Sequence, residues 1–185
     1  MSDGDLSISI GVPGLRVNLG PQSLVAVRKV FRKQIFRGAC LLIDRWSGLA
    51  LDSTQDPRVG TKPVLWTVHG EPWQRWHLRR ANASHIYVQS AHTGLVLTTS
   101  SARGNWAEVR LDTWRGADEQ RWRVHRSTDG SAYQLSSGST NFMLDAGDNV
   151  KIPAATEQRS VDEPDSPHLW ENWSGRCQEW SIARL

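Results

Sequence analysis

The sequence predicts an all-β protein: a closed barrel of three four-stranded repeats, preceded by an N-terminal extension. Three observations carry this prediction. The tripeptide Gln-x-Trp, followed two positions on by an apolar residue, occurs at Gln74–Trp76, Gln120–Trp122 and Gln178–Trp180. Each copy has a leucine nine residues before its glutamine, at Leu65, Leu111 and Leu169. Upstream of each lie short stretches in which apolar and polar residues alternate, the period of a half-buried strand.

In chain order, residues 1–37 form the extension. "LSISIGVPGLRVNLG" (residues 6–20) alternates on both sides of Pro13-Gly14 and reads as a hairpin with that dipeptide at its turn. A lone hairpin with one apolar face is marginal in water, so this one needs something to pack on. After Gly20-Pro21, Leu24, Val27, Phe31 and Ile35 fall on one helical stripe, with Arg28, Lys29, Arg32, Lys33 and Arg37 largely elsewhere and Ser23 placed to cap. The β-branched residues of 25–36 equally allow a further strand.

The first repeat, about residues 38–84, begins "CLLIDRWSGLALD", crosses a polar Gly- and Pro-containing loop, and ends "PVLWTVHGEPWQRWHL". The second, about 85–130, begins "IYVQSAHTGLVLTT" and ends "VRLDTWRGADEQRWRV". The third, about 131–185, begins "YQLSSGSTNFMLDA" and ends "PHLWENWSGRCQEWSI". Each reads as strand, turn, strand, loop, strand, turn, strand. The motif tryptophans are 46 and 58 residues apart, and the extra length lies in the polar stretch 152–165. A period of this size with four strands per unit marks a repeat architecture, and three units are too few for a propeller, so they close as a barrel.

Charge separates the extension from the rest. Residues 1–37 carry six Lys/Arg against two acids, net +4, while residues 38–185 carry 16 against 17, net −1. The basic character thus belongs to the front, and no nucleic-acid partner is expected for the body. The amphipathic basic segment either contacts an anionic membrane or acidic partner, or is the solvated side of an element packed on its own domain. The N-terminus has acids where a signal peptide needs positive charge, so a cytoplasmic location is expected, with leaderless export left open. Two cysteines are too few for a disulfide framework, and two free thiols are expected.

The repeats resemble those of the ricin-type (R-type) β-trefoil lectins, which run roughly G-L-x-L-D, loop, x-L-W, loop, Q-x-W. Here "SGLALD", "VLW" and "QRW" stand in the first repeat, and "FMLD", "HLW" and "QEW" in the third. The resemblance covers about residues 38–185. It implies a β-trefoil in which Trp76, Trp122 and Trp180 are structural core, and in which the first and last strands meet, bringing Cys40 near Cys177. It also implies a sugar site in each repeat between the Asp of the L-D strand and the aromatic of the L-W strand. A carboxylate accepts hydrogen bonds from vicinal hydroxyls, and an aromatic face covers the apolar C–H face of a sugar ring.

Carried over by position, the first repeat offers Asp52 and Trp66 with Gln74, and the third offers Asp145 and Trp170 with His168 and Gln178. The second has Thr98 and Asp112 at the matching positions, so its site is expected to be dead. Val64 and His168 two before the Trp, and Trp73 and Cys177 before the motif Gln, depart from the pattern of galactose-binding members. The alternative for both pairs is that Asp52 and Asp145 fix turns while the tryptophans fill core.

No catalytic or metal chemistry is expected. The six histidines, at 69, 77, 85, 92, 125 and 168, share no ligand spacing, and no phosphate loop, nucleophile elbow or Cys/His signature occurs. Asp52 and Asp145 lie in different repeats, whereas a glycosidase pair must stand roughly 5 to 10 Å apart. The expected function is non-catalytic carbohydrate binding, with glycans or glycoconjugates as partners and no cofactor. The alternative is a trefoil serving protein interaction or targeting, docked or assembled into a homo-oligomer through its extension.

Overall fold

The computed structural model describes residues 38–101, 104–147 and 166–185, together with the strand pairing of residues 7–8 and 17–18. The chain divides into two compact units, Met1–Arg37 and Gly38–Leu185. In the first, β1 (Ser7–Ile8) and β2 (Val17–Asn18) pair antiparallel, Ser7 opposite Asn18 and Ile8 opposite Val17. The turn at Pro13-Gly14 and the basic segment, helix or strand, lie outside the described residues.

Among its described residues, the second unit holds twelve strands in three sets of four. The first set is β3 (Cys40–Asp44), β4 (Ala50–Asp52), β5 (Val64–Trp66) and β6 (Trp76–Arg80). The second is β7 (Ile86–Ser90), β8 (Val96–Thr99), β9 (Ala107–Asp112) and β10 (Trp122–Arg126). The third is β11 (Tyr133–Ser137), β12 (Met143–Asp145), β13 (His168–Trp170) and β14 (Trp180–Arg184). The last strand of each set pairs along five residues with the first strand of the next: β6 with β7, β10 with β11, and β14 with β3, which closes the barrel. The middle strands pair as hairpins, with Leu51 opposite Leu65, Leu97 opposite Leu111, and Leu144 opposite Leu169. This three-fold arrangement is a β-trefoil.

The Gln-x-Trp tripeptide does the same thing three times. Trp76, Trp122 and Trp180 are fully buried, and their indole N–H groups donate to the carbonyls of Leu51, Leu97 and Leu144 at 2.9, 3.2 and 3.1 Å. Each ring therefore fills the barrel without leaving its one polar atom unpaired. The middle residue of each tripeptide receives the next hairpin turn: Ala91 N–H donates to Arg75 O, Gly138 N–H to Arg121 O, and Arg45 N–H to Glu179 O. At this last, closing seam the Arg45 guanidinium also reaches Glu179 Oε2 at 3.0 Å and Ser131 Oγ at 2.8 Å.

Closure does not bring the two thiols together. Cys40 starts β3 opposite Arg184 and donates to Trp76 O, whereas Cys177 lies against Asp145 and Asp44, at the other end of β3. Four residues of strand separate those ends by about 13 Å. Both thiols are buried and free, and burial pushes each up to about 12.

Candidate functional site

In the first repeat Asp52 ends β4 and turns the chain: Oδ1 accepts the Thr54 N–H at 2.7 Å, with Thr54 at φ 68. Oδ2 lies 3.4 Å from His69 Nε2, and the Gln74 side chain also donates to the carboxylate. Gln74 itself accepts the His69 and Gly70 N–H groups at 2.9 and 3.0 Å and donates to Thr67 O. His69 meets Trp73 edge to face at 5.7 Å between centroids, and Trp73 meets His92 at 6.2 Å. Burial raises the Asp52 carboxyl above its ordinary 3.8, against the hydrogen bonds from Thr54, Gln74 and His69. Trp66 is half-buried on β5, opposite Ala50.

The third repeat builds the same object from different residues. Asp145 Oδ1 accepts Gly147 N–H at 2.7 Å, and Oδ2 accepts Gln178 Nε2 at 2.9 Å and Trp173 Nε1 at 3.3 Å. Gln178 again braces the loop, donating to Glu171 O and accepting from Trp173 N–H. His168 stands across from Asp145 and is stacked on Trp106 at 4.3 Å, while Trp170, half-buried, is edge-on to Trp106.

Four of the candidate sugar contacts are buried in this structure. Gln74 and Gln178, expected among the sugar contacts, are fully buried, and their amides are taken up by loop backbone and the Asp carboxylate, so they brace the site from beneath. Asp52 and Asp145 are each only 3% exposed, because a ring nitrogen covers the outward oxygen. A hydroxyl reaches either carboxylate only where that ring gives way. His69 and Trp173 both stand five residues before their motif glutamine, but that spacing does not show that their rings turn onto the carboxylates. Trp106 was not legible in the sequence, because it comes from the second repeat and arrives on the third through tertiary contact.

The second repeat lacks this arrangement. Thr98, in place of the Asp, accepts Gln120 Nε2 at 3.3 Å. Asp112, in place of the Trp, is paired with the guanidinium of Arg115, the residue equivalent to His69 and Trp173. An ion pair half in solvent takes the place of carboxylate and platform. Tyr87 and Trp114 stack nearby at 4.1 Å.

The sequence profile of the ricin-type beta-trefoil lectin domain-like family matches residues 31–112 and 83–157. Among solved structures, the designed three-fold symmetric protein ThreeFoil superposes with a TM-score of 0.67 at 22% identity, covering 80% of this chain and 99% of that one. The Macrolepiota procera ricin B-like lectin in complex with lactose gives 0.64 at 18% identity, covering 80% and 95%. The Polyporus squamosus lectin bound to a human-type influenza-binding epitope gives 0.64 at 13%, covering 80% and 49%. At these identities the likeness is one of fold. Comparison with curated proteins gives no match.

Proposed function

Since the chain belongs to the ricin-type β-trefoil lectin domain-like family, we propose that it binds carbohydrate without transforming it, through the first and third repeats. One observation carries the reading: a carboxylate braced by the motif glutamine, capped by a ring nitrogen and bordered by half-exposed tryptophan occurs in those two repeats, and an Asp–Arg pair replaces it in the second. Asp52 with Trp66, and Asp145 with Trp170 and His168, are the contacts assigned to sugar. Gln74 and Gln178 hold the carboxylates in place. His69 and Trp173 are the rings a sugar hydroxyl displaces. Lactose and sialylated lactosamine, the ligands of the two fungal lectins, are the natural first probes.

The test is a printed glycan array with the parent, Asp52→Asn, Asp145→Asn and the double variant. Losing a charged acceptor costs about 1.5 to 3 kcal/mol, roughly ten- to a hundredfold in affinity. Because shallow sites act together on a multivalent surface, the double variant should lose binding that each single variant only weakens. Thr98→Ala serves as the second-repeat control and leaves the array pattern unchanged. A double variant that folds and retains the parent's glycans removes this site assignment.

A further inference from the structure

Trp106 is placed where a tryptophan has no structural reason to be. Its backbone lies at φ 68, in the left-handed region that a bulky side chain occupies only under strain. The first repeat shows what the position ordinarily takes. Gly60 N–H donates to Leu111 O at 2.8 Å just as Trp106 N–H donates to Leu169 O at 2.9 Å, and Gly60 sits at φ 92. The same bend is thus made by glycine in one repeat and by tryptophan in the next. The ring is not there for the core either, since Trp106 is 62% exposed.

What the ring does is shape the surface of the neighbouring repeat. It stacks on His168 at 4.3 Å with 25° between planes, and stands at 87° to Trp170 with centroids 4.9 Å apart. The loop carrying it is clamped to the third repeat from the other side by Asn105 Oδ1, which accepts Glu171 N–H at 2.8 Å. The outcome is a corner of two perpendicular aromatic planes with the Asn105 side-chain amide beside it and the exposed residue Glu171 next along the chain from Trp170. The corner adjoins the strand pair that carries Asp145 and Trp170.

A flat apolar face with hydrogen-bonding groups at its edge suits a pyranose, whose C–H face is apolar and whose rim is hydroxyl. We propose that Trp106 is the platform of a second sugar-ring subsite, built across the seam between the second and third repeats. It takes the neighbouring residue of an oligosaccharide whose first ring occupies the third repeat's site. This rests on the carbohydrate reading above and extends it from a single ring to at least a disaccharide. The matching seam between the first and second repeats has no such ring, because Gly60 stands at the equivalent position.

The experiment is an array that prints each monosaccharide beside the di- and trisaccharides ending in it, probed with the parent, Trp106→Ala and Asp145→Asn. Trp106→Ala should weaken di- and trisaccharides by about tenfold, the scale of one lost aromatic contact, and leave monosaccharides unchanged. Asp145→Asn should weaken both. If Trp106→Ala binds oligosaccharides like the parent while Asp145→Asn loses them, this subsite is wrong and the carbohydrate reading stands. Equal loss of mono- and oligosaccharides in Trp106→Ala makes the ring part of the first site and also overturns the proposal. A parent that binds no printed glycan removes both readings. Trp106→Gly provides a separate readout: with the strain relieved it should melt at or above the parent's temperature. A clear drop would make the ring a packing element.

Discussion

Asp44 shows how a single side chain at a three-fold position departs from its symmetry mates. It pairs with Trp180 as Ser90 does with Trp76 and Ser137 with Trp122. The serine hydroxyls accept the amides of the following turn, at His92 and Ser139, and Asp44 Oδ2 does the same with Ser47 N–H at 2.7 Å. A carboxylate has a second oxygen, and Asp44 Oδ1 accepts no hydrogen bond of normal geometry among the described residues. Burial raises its carboxyl above the ordinary 3.8, helped by the Asp145 charge. With the folded value above the unfolded one, the group favours the fold below that ordinary value, and this support is lost as pH rises through the folded value. Asp44→Asn should therefore stabilise the protein at pH 7 by about 1 kcal/mol, with the gain shrinking toward pH 3 in paired urea titrations. At the same scale, a Cβ on Gly175 would come within 2.2 Å of the Trp173 ring. That ring is 53% exposed and can move, so Gly175→Ala should change stability by no more than about 0.5 kcal/mol. Its effect should appear in the fluorine spectrum of 5-fluorotryptophan-labelled protein, as Trp173 leaves Asp145.

The working element of the fold is the loop between the third and fourth strands of each repeat, folded around its motif glutamine. A short 3-10 turn, Pro72–Gln74, Asp118–Gln120 or Arg176–Gln178, ends on that glutamine. The side chain then reaches back to loop amides and carbonyls five and seven residues upstream, as Gln120 does to Arg115 N–H and Thr113 O, each at 2.7 Å. A fully buried amide with these partners substitutes for a strand's ladder in a loop that has none. Gln120 offers the clean measurement because its repeat has no assigned sugar site. Gln120→Ala strands buried donors and acceptors and should cost about 2 to 4 kcal/mol in urea unfolding, with glycan binding per folded molecule unchanged.

For the whole molecule, stability is shared among three equivalent seams and one common core. Trp76, Trp122 and Trp180 and the leucines of the hairpins are all fully buried in it. Trp122→Ala should cost about 3 to 5 kcal/mol, a large part of the roughly 5 to 15 kcal/mol that holds a domain folded. Fluorescence and circular dichroism should still follow one coincident transition, since the barrel cannot lose one seam and keep two. The thiols report on the same cooperativity. Cys40 and Cys177 are buried and pushed up to about 12, so iodoacetamide at pH 8 should label neither in the native barrel and both after denaturation, read by mass spectrometry.

What the sequence determined by itself is whatever repeats along it. Strand periodicity, the nine-residue spacing from leucine to glutamine and the triple Gln-x-Trp were enough for a closed three-fold barrel, and the resemblance they carry to ricin-type lectins for the β-trefoil, because local alternation and three-fold recurrence are properties of the chain as written. The resemblance to ricin-type lectins put Asp52 and Trp66, and Asp145 and Trp170, on neighbouring strands, where the register sets each Asp two residues along from its Trp. Tertiary structure alone decided what covers those carboxylates. Whether Asp145 faces solvent depends on the rotamer of Trp173, which Gly175 allows by lacking a side chain. Whether the third repeat carries one aromatic wall or two depends on Trp106, about 60 residues upstream and brought in by backbone pairing of β9 with β13. The thiols make the same point: adjacency of strands in the closed barrel did not bring Cys40 to Cys177, because antiparallel register sets them at opposite ends of β3. Periodicity specifies which strand lies beside which, but the position along the strand at which two side chains meet is set by register and by loops that have no period.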